Sequence, residues 1–164
     1  TLMVSPPMVR LAPGQKQTIR LAVEPAPESR TERSFRLLVS ELPDHSDKQT
    51  DTVQVLLQFS VPVFIDAPAK STPDIHWHLL RDTTGTWLTA ENKGAVHAKL
   101  SGLTLQPEKG DSTKIAGGEF FYLLAQSSRR WKLEKRFTDN PIELTAEDEK
   151  HGSIRTTIPT TTIP

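Results

Sequence analysis

Residues 52–65 read TVQVLLQFSVPVFI, and apolar side chains occupy every second position of this stretch. A period of two is the spacing of side chains on one face of a β-strand, so the stretch predicts a strand from Thr52 to about Ile65. Pro62 has no N–H to donate to a ladder, which places the strand at an edge or a bulge. Leu56 and Phe64 add apolar groups on the opposite face. The pattern fits either an ordinary core strand or a strand with one face buried by a partner.

Shorter alternating runs recur along the chain, and turn residues separate them. They predict strands over residues 17–23, 35–39, 75–80, 86–91, 96–105, 119–124, 131–137 and 142–145, with 156–164 as a final edge strand or a loose tail. Pro13-Gly14 has the residue order found at the centre of a type II turn. Thirteen prolines, most of them at the edges of apolar runs, disfavour long helices. The predicted fold class is all-β, with sandwich architecture.

The segment APAKSTP, residues 67–73, reads as a linker and divides the chain into domains 1–66 and 67–164. The second domain has enough predicted strands for a small sandwich. The first has only three or four, and so few strands close a sandwich poorly. We therefore expect the first domain to be incomplete at its N-terminus, with its opening strands upstream of Thr1.

Composition excludes several classes of function. The chain has no cysteine, which excludes a disulfide framework, thiol catalysis and thiolate metal ligands. Its 20 Lys and Arg residues balance its 20 Asp and Glu residues, so no strong field attracts nucleic acid or an anionic membrane. No nucleophile elbow surrounds any serine, and Ala116-Gly117-Gly118 has no phosphate-loop context. We expect no enzyme activity and no cofactor.

Three further motifs are explained by ordinary structural roles without a specific function. His76 and His78 share one face of a predicted strand, but without a third ligand surface histidines are favoured over a metal site. The basic run at 127–132, SSRRWK, is expected to be a solvated hairpin end and not a nucleic-acid contact. Asn92 is expected to be a turn residue that tolerates a left-handed conformation.

Several stretches match, in order, the pattern of one known family. They are VSPP at 4–7, LAPGQ at 11–15 leading to QTIRL at 17–21, ERSFRLLVSELP at 32–43, the alternating run 53–63, and WLTAENKGAVHAKL at 87–100. Each motif alone is moderately specific, and their order over nearly the whole chain is the stronger signal. On these motifs the chain resembles the PapD-like periplasmic chaperones of pilus assembly. The segment VPVF at 61–64 resembles the strand ending of the divergent, archaic branch of that family.

The resemblance implies two immunoglobulin-like β-sandwich domains, the first of them lacking about three opening strands. It also implies a periplasmic chaperone that caps pilin subunits by donor-strand complementation and passes them to an outer-membrane usher. In this mode an edge strand with alternating apolar side chains enters the groove of an incomplete subunit. The residues that the resemblance assigns to this contact are Val53, Val55, Leu57, Phe59 and Val61. Catalytic residues and a bound metal are not part of the family's function.

The sequence departs from the family pattern in two respects, and two further polar residues have expected roles. Family members place a lysine near the end of the donated strand, to clamp the subunit's terminal carboxylate, and that position falls near Pro62 here. The arginine of the clamp belongs to a strand outside this chain. We expect Gln17 and Arg20 to hold strand pairings and the interdomain surface together, or Arg20 to face the cleft between domains. A bare apolar edge is also a hazard for self-association.

An alternative from a different class is a structural or adhesive immunoglobulin-like module of a bacterial surface fibre. Such a module would pair the same strand with a neighbour and keep it in the polymer. A chaperone releases its subunit at the usher, so reversibility distinguishes the two hypotheses.

Overall fold

The computed structural model describes residues 1–24, 30–43, 53, 55–65, 67, 69–115, 120–135, 137 and 141–162. Within these residues the chain forms β-strands and no helix. It divides into two compact units. Unit 1 comprises Thr1–Ser29 and Ser34–Phe64, and unit 2 comprises Arg30–Arg33 and Ile65–Pro164.

The described part of unit 1 contains two pairs of strands. Strand β1 (Leu2–Ser5) pairs with β2 (Arg20–Val23), and β3 (Arg33–Ser40) pairs with β4 (Gln58–Ile65). Between β1 and β2 the predicted turn is confirmed, because the Gln15 N–H donates to the Ala12 carbonyl at 3.0 Å and Gly14 has a φ of +79°. A positive φ at the third turn position defines a type II turn and favours glycine there.

Apolar side chains of unit 1 remain accessible to solvent. No described side chain of this unit is fully buried. The exposed large apolar residues include members of all four strands and of the connections between them, namely Met3, Met8, Val9, Leu11, Leu21, Leu38, Val39, Leu42 and Phe59. Exposed apolar surface of this extent marks a region that partners or further chain can cover.

Unit 2 is a sandwich of two sheets. The first sheet has the order β10–β6–β5–β13, and the second has the order β12–β11–β7–β8, with β9 also paired to β7. The strands are β5 (Ile75–Asp82), β6 (Gly85–Asn92), β7 (Ala98–Gln106), β8 (Thr113–Lys114), β9 (Phe121–Leu123), β10 (Ser127–Leu133), β11 (Ile142–Asp148), β12 (Gly152–Ile158) and β13 (Thr160–Thr162). The chain changes sheets at Pro159, since β12 pairs with β11 while β13 runs parallel to β5.

The core of unit 2 lies between the inner faces of these sheets. Alternation along each strand turns one set of side chains inward, as a sandwich requires. The large aliphatic members of the core have no exposed surface: Leu79, Leu88, Leu100, Leu103, Leu105, Ile142 and Leu144. Trp77 joins this cluster and stacks on Trp131 with a centroid distance of 6.4 Å.

Most predicted strands of unit 2 are confirmed, and the structure adds detail at two of the predicted segments. Strand β10 begins at Ser127, so the basic run at 127–132 lies within an edge strand and is not a hairpin end. Charged side chains on an edge strand discourage pairing with other chains. The predicted tail 156–164 contributes the end of β12 and the short strand β13. The glycine pair at 117–118 and the 25–29 connection lie outside the described residues.

Asn92 is a buried hydrogen-bonding centre, and the expectation of a left-handed turn residue was wrong. It is the last residue of β6 and has no exposed surface. Its Oδ1 accepts from the Asp74 N–H at 3.1 Å and from the Gly94 N–H at 2.9 Å. Its Nδ2 donates to the carbonyls of Val96 at 2.8 Å and of residues 123 and 124 at 3.2 and 3.1 Å. The side chain therefore joins the start of β5, the loop after β6 and the end of β9.

The loop after β6 also holds the segment Arg30–Arg33, which belongs to unit 2. The Glu32 N–H donates to the Ala95 carbonyl at 2.8 Å. Glu32 Oε2 accepts from the His97 N–H at 2.9 Å and lies 2.6 Å from His97 Nδ1. Both side chains are buried, with exposed fractions of 5% and 8%. A buried, multiply bonded pair fixes this segment to the sandwich.

Candidate functional site

Strand β4 is an edge strand with one row of apolar side chains. In the described part of the chain its neighbour is β3 alone, which leaves the main-chain groups of its other edge without a ladder. Pro62 lies within β4, as an edge position allows. An unpaired edge beside exposed apolar groups is the arrangement that accepts a strand from another chain.

The side chains of the apolar row are most exposed at Val53 and least exposed toward residue 63. The exposed fractions are 94% at Val53, 74% at Val55, 55% at Leu57, 59% at Phe59 and 43% at Val61. Val63 is half-buried. Each of the five residues assigned from the sequence therefore exposes apolar surface to solvent.

The predicted strand of residues 52–65 is shorter than expected, because β4 begins at Gln58. Thr52 and Gln54 lie outside the described residues, while Val53 and Val55 are described without strand pairing. Alternation alone does not make a strand, since each extended residue needs a ladder partner. Strand β3 ends at Ser40, and residues 42 and 43 after it are described without strand pairing, as are Val55 and Leu56.

Leu57 is held at the point where the ladder ends. Its carbonyl accepts from the Glu41 N–H at 2.8 Å, and its own N–H donates to Glu41 Oε2 at 3.1 Å. Beside it, Gln58 Nε2 donates to Ser40 Oγ at 2.7 Å. Glu41 thus extends the pairing by one residue and leaves the Leu57 side chain in solvent. The sequence predicted the apolar row but not these hydrogen bonds between Glu41 and Leu57 at the end of the ladder.

Arg20 and Gln17 are both exposed and lie before or at the start of β2. Arg20 is opposite Ser5 in the β1–β2 register. Gln17 Nε2 donates to the Thr18 carbonyl at 2.9 Å. The interdomain or cleft role of these two residues stays a prediction.

The described residues were also searched for a metal site and for a membrane-spanning helix. Within them, no group of three or more His, Asp or Glu residues is arranged to hold a metal ion. His76 and His78 are exposed on β5 and lie near carboxylates, with 3.1 Å between His76 Nε2 and Asp74 Oδ1. In the same part of the chain, no helix has the length and hydropathy to cross a bilayer.

Comparison with known proteins bears directly on this edge. Residues 1–70, which include the whole apolar row, match the N-terminal domain of PapD, the pili and flagellar-assembly chaperone family. The first 70 residues of this chain are therefore similar to the N-terminal domain of the PapD-like pilus-assembly chaperones. The recognition made from the sequence motifs is confirmed.

A solved structure extends the likeness from the first 70 residues to the fold of nearly the whole chain. The structure is a chaperone–tip adhesion subunit pre-assembly complex, CsuC–CsuE, from the archaic chaperone–usher Csu pili of Acinetobacter baumannii. One chain of it aligns with a TM-score of 0.67 and 21% identity, over 99% of this chain and 75% of that one. The predicted fold class, all-β with two immunoglobulin-like domains, is confirmed. No curated protein sequence matches the chain.

The family is one of chaperones, which supports the first hypothesis over a fibre module and over an enzyme. The domain division at residues 66 and 67 stays a prediction, as does the assignment of the apolar row to subunit binding.

Proposed function

We propose that this PapD-like chaperone works in the periplasm, binds pilin subunits by donor-strand complementation and passes them to an outer-membrane usher. The donated segment is the apolar row Val53, Val55, Leu57, Phe59 and Val61. The observation that supports this most directly is the open edge of β4, beside which all five side chains are exposed. The archaic Csu complex contains a chain of the same fold and joins a chaperone to a tip adhesion subunit, which supports pilin subunits as the partner.

The incomplete ladder before Gln58 favours a strand that forms on binding. Val53 and Val55 are described without a strand partner. A subunit groove would provide the missing main-chain partners and bury the alternating side chains in one step. Leu57, already held by Glu41, would be the point from which the strand is extended.

The energetics suit a complex that can later be exchanged. Burying the surface now exposed on Val53, Val55, Leu57 and Phe59 contributes about 6 kcal/mol, on a scale of about 1.5–3 kcal/mol for each fully buried side chain. Association costs of about 4–15 kcal/mol oppose this contribution. Each new ladder hydrogen bond adds about 1 kcal/mol. The apolar row and the ladder are therefore both needed, and losing one anchor has a measurable effect on affinity.

The test is co-purification from the periplasm of cells that produce the full-length protein together with the pilin encoded beside it. Wild type should yield a 1:1 complex. Leu57→Glu should abolish it, because a carboxylate cannot be buried in an apolar groove without a large cost. Leu57→Ala should weaken the complex about fivefold, since roughly 1 kcal/mol of burial is lost.

Ser60→Glu is the matched control. Ser60 is exposed on the same strand, and its side chain points to the opposite face. The charge added is identical, so this variant should bind the pilin as wild type does. A Leu57→Glu variant that binds equally well, or a pilin that never co-purifies, would refute donation through this row.

A further inference from the structure

Unit 2 contains a cavity of about 320 Å³ between its two sheets. It lies where the start of β5 faces β12, and it is lined by Thr72, Pro73, Ile75, Trp77, Asp148, His151, Ile154 and Thr156. Known ligand cavities span about 300–1,000 Å³ and combine apolar walls with a few polar groups. This cavity is at the small end of that range and has room for a large apolar side chain.

The main chain beside the cavity has free hydrogen-bonding groups. The Lys93 N–H donates to the Asp74 carbonyl, which sets the phase of the antiparallel β5–β6 ladder. Hydrogen-bonded pairs alternate along such a ladder, so the main-chain groups of Ile75 and Trp77 point away from β6. Strand β13 covers this edge of β5 only from Leu79 to Arg81. In the described residues, the edge at Ile75 and Trp77 is therefore open.

Trp77 and Asp148 are the two lining residues of the cavity whose side chains are polar and buried. The indole Nε1 of Trp77 is buried and has no acceptor among the described residues. Asp148 is buried, and its Oδ1 accepts from the Lys150 N–H at 2.8 Å, the His151 N–H at 2.9 Å and His151 Nδ1 at 2.9 Å. The other oxygen, Oδ2, takes no hydrogen bond from the described residues. The cavity is thus lined by one carboxylate side chain and by apolar walls.

We propose that this cavity and the open edge of β5 form a second peptide-binding site, separate from the row of unit 1. The occupant is an extended segment of a partner protein that pairs its main chain with Ile75 and Trp77. One large apolar side chain enters the cavity, and a lysine or arginine two residues away reaches Asp148. An edge that supplies the ladder, together with a cavity that selects a side chain, is the general form of recognition by strand addition. The negative Oδ2 selects the basic residue.

The test uses the ¹⁵N-labelled full chain and an acetylated, amidated seven-residue peptide. The peptide has a central leucine, a lysine two positions later and threonine elsewhere. Binding should shift the main-chain amides of Ile75 and Trp77 and the Trp77 indole N–H. The indole of Trp87 on the outer face and the amides of β4 should stay in place. Replacing the peptide's lysine by glutamate should weaken binding about threefold, and replacing its leucine by serine should abolish it.

Ile154→Trp fills the cavity and should weaken binding at least about tenfold, as expected when an apolar anchor is excluded. Ser153→Trp places the same bulk on the exposed side of β12 and should bind as wild type does. The spectrum of each variant reports its fold, and the wild-type titration is decisive if Ile154→Trp does not fold. The proposal is overturned by shifts confined to β4, by unchanged binding in folded Ile154→Trp, or by leucine amide alone binding as tightly as the peptide. None of these outcomes depends on whether Leu57 binds pilin.

Discussion

Replacing Asn92 by alanine should destabilise unit 2 more than a substitution at a half-buried position of the same strand. The side chain has no exposed surface and bonds two N–H groups and three carbonyls. Those groups belong to three different segments of the unit, at the start of β5, in the loop after β6 and at the end of β9. Alanine removes every bond and leaves buried main-chain groups without partners.

The loss of unfolding free energy in Asn92→Ala can be estimated by counting the hydrogen bonds that the substitution removes. The Nδ2 group has two hydrogens, so we count two of its three carbonyl contacts and both N–H groups that bond Oδ1, which makes four bonds. At about 1 kcal/mol each, Asn92→Ala should cost about 4 kcal/mol. Typical domains have about 5–15 kcal/mol of stability, so this loss is a large part of the total.

The assay is urea unfolding followed by tryptophan fluorescence. All three tryptophans, Trp77, Trp87 and Trp131, lie in unit 2, so the signal reports that unit. With an m-value of about 1.5 kcal/mol/M, the midpoint should fall by roughly 2.5 M. Thr89→Ala, a half-buried position on the same strand, is the control and should shift the midpoint little. A loss below about 1 kcal/mol for Asn92→Ala would show that the five contacts do not hold these segments together.

Two other predictions concern unit 2. Glu32→Ala should lower its unfolding free energy by about 3–5 kcal/mol, as for other broken buried pairs, while Glu32→Gln keeps an acceptor for the His97 N–H and should cost less. Equal losses in the two variants would contradict that role for the hydrogen bond. At Asp82, the hydroxyl of Thr84 donates to the carboxylate and lowers its pKa below 3.8. Its contribution to stability is therefore present above about pH 4 and lost as pH falls through the lowered pKa. An NMR titration of the Asp82 carboxyl carbon should show this pKa, and Thr84→Ala should raise it toward the ordinary value.

Strand positions were predictable wherever side-chain alternation is local. The runs 75–80 and 86–91 were found because one face of each strand is buried in the sandwich, and the structure places them in β5 and β6. The turn at Ala12–Gln15 was found because proline and glycine have distinct backbone preferences. Each of these signals depends on neighbouring residues only.

The start of β4 was not predictable in this way. Residues 52–57 alternate as well as 58–65 do, yet β4 begins at Gln58, since β3 ends at Ser40. The extent of a strand depends on its ladder partner, and the partner lies elsewhere in the chain. The basic run at 127–132 was misplaced for a related reason, because pairing with β6 draws Ser127–Arg130 into a strand despite their polarity.

The sequence by itself determined the all-β class, the family resemblance and the apolar row Val53–Val61, because these depend on residue order and a period of two. Tertiary structure decided the buried centre at Asn92, the Glu32–His97 pair and the cavity between β5 and β12. Their members are far apart in sequence, since Glu32 and His97 are separated by 65 positions. Side chains at such separations meet only when the two sheets pack, and no local pattern records which polar groups that packing will bury.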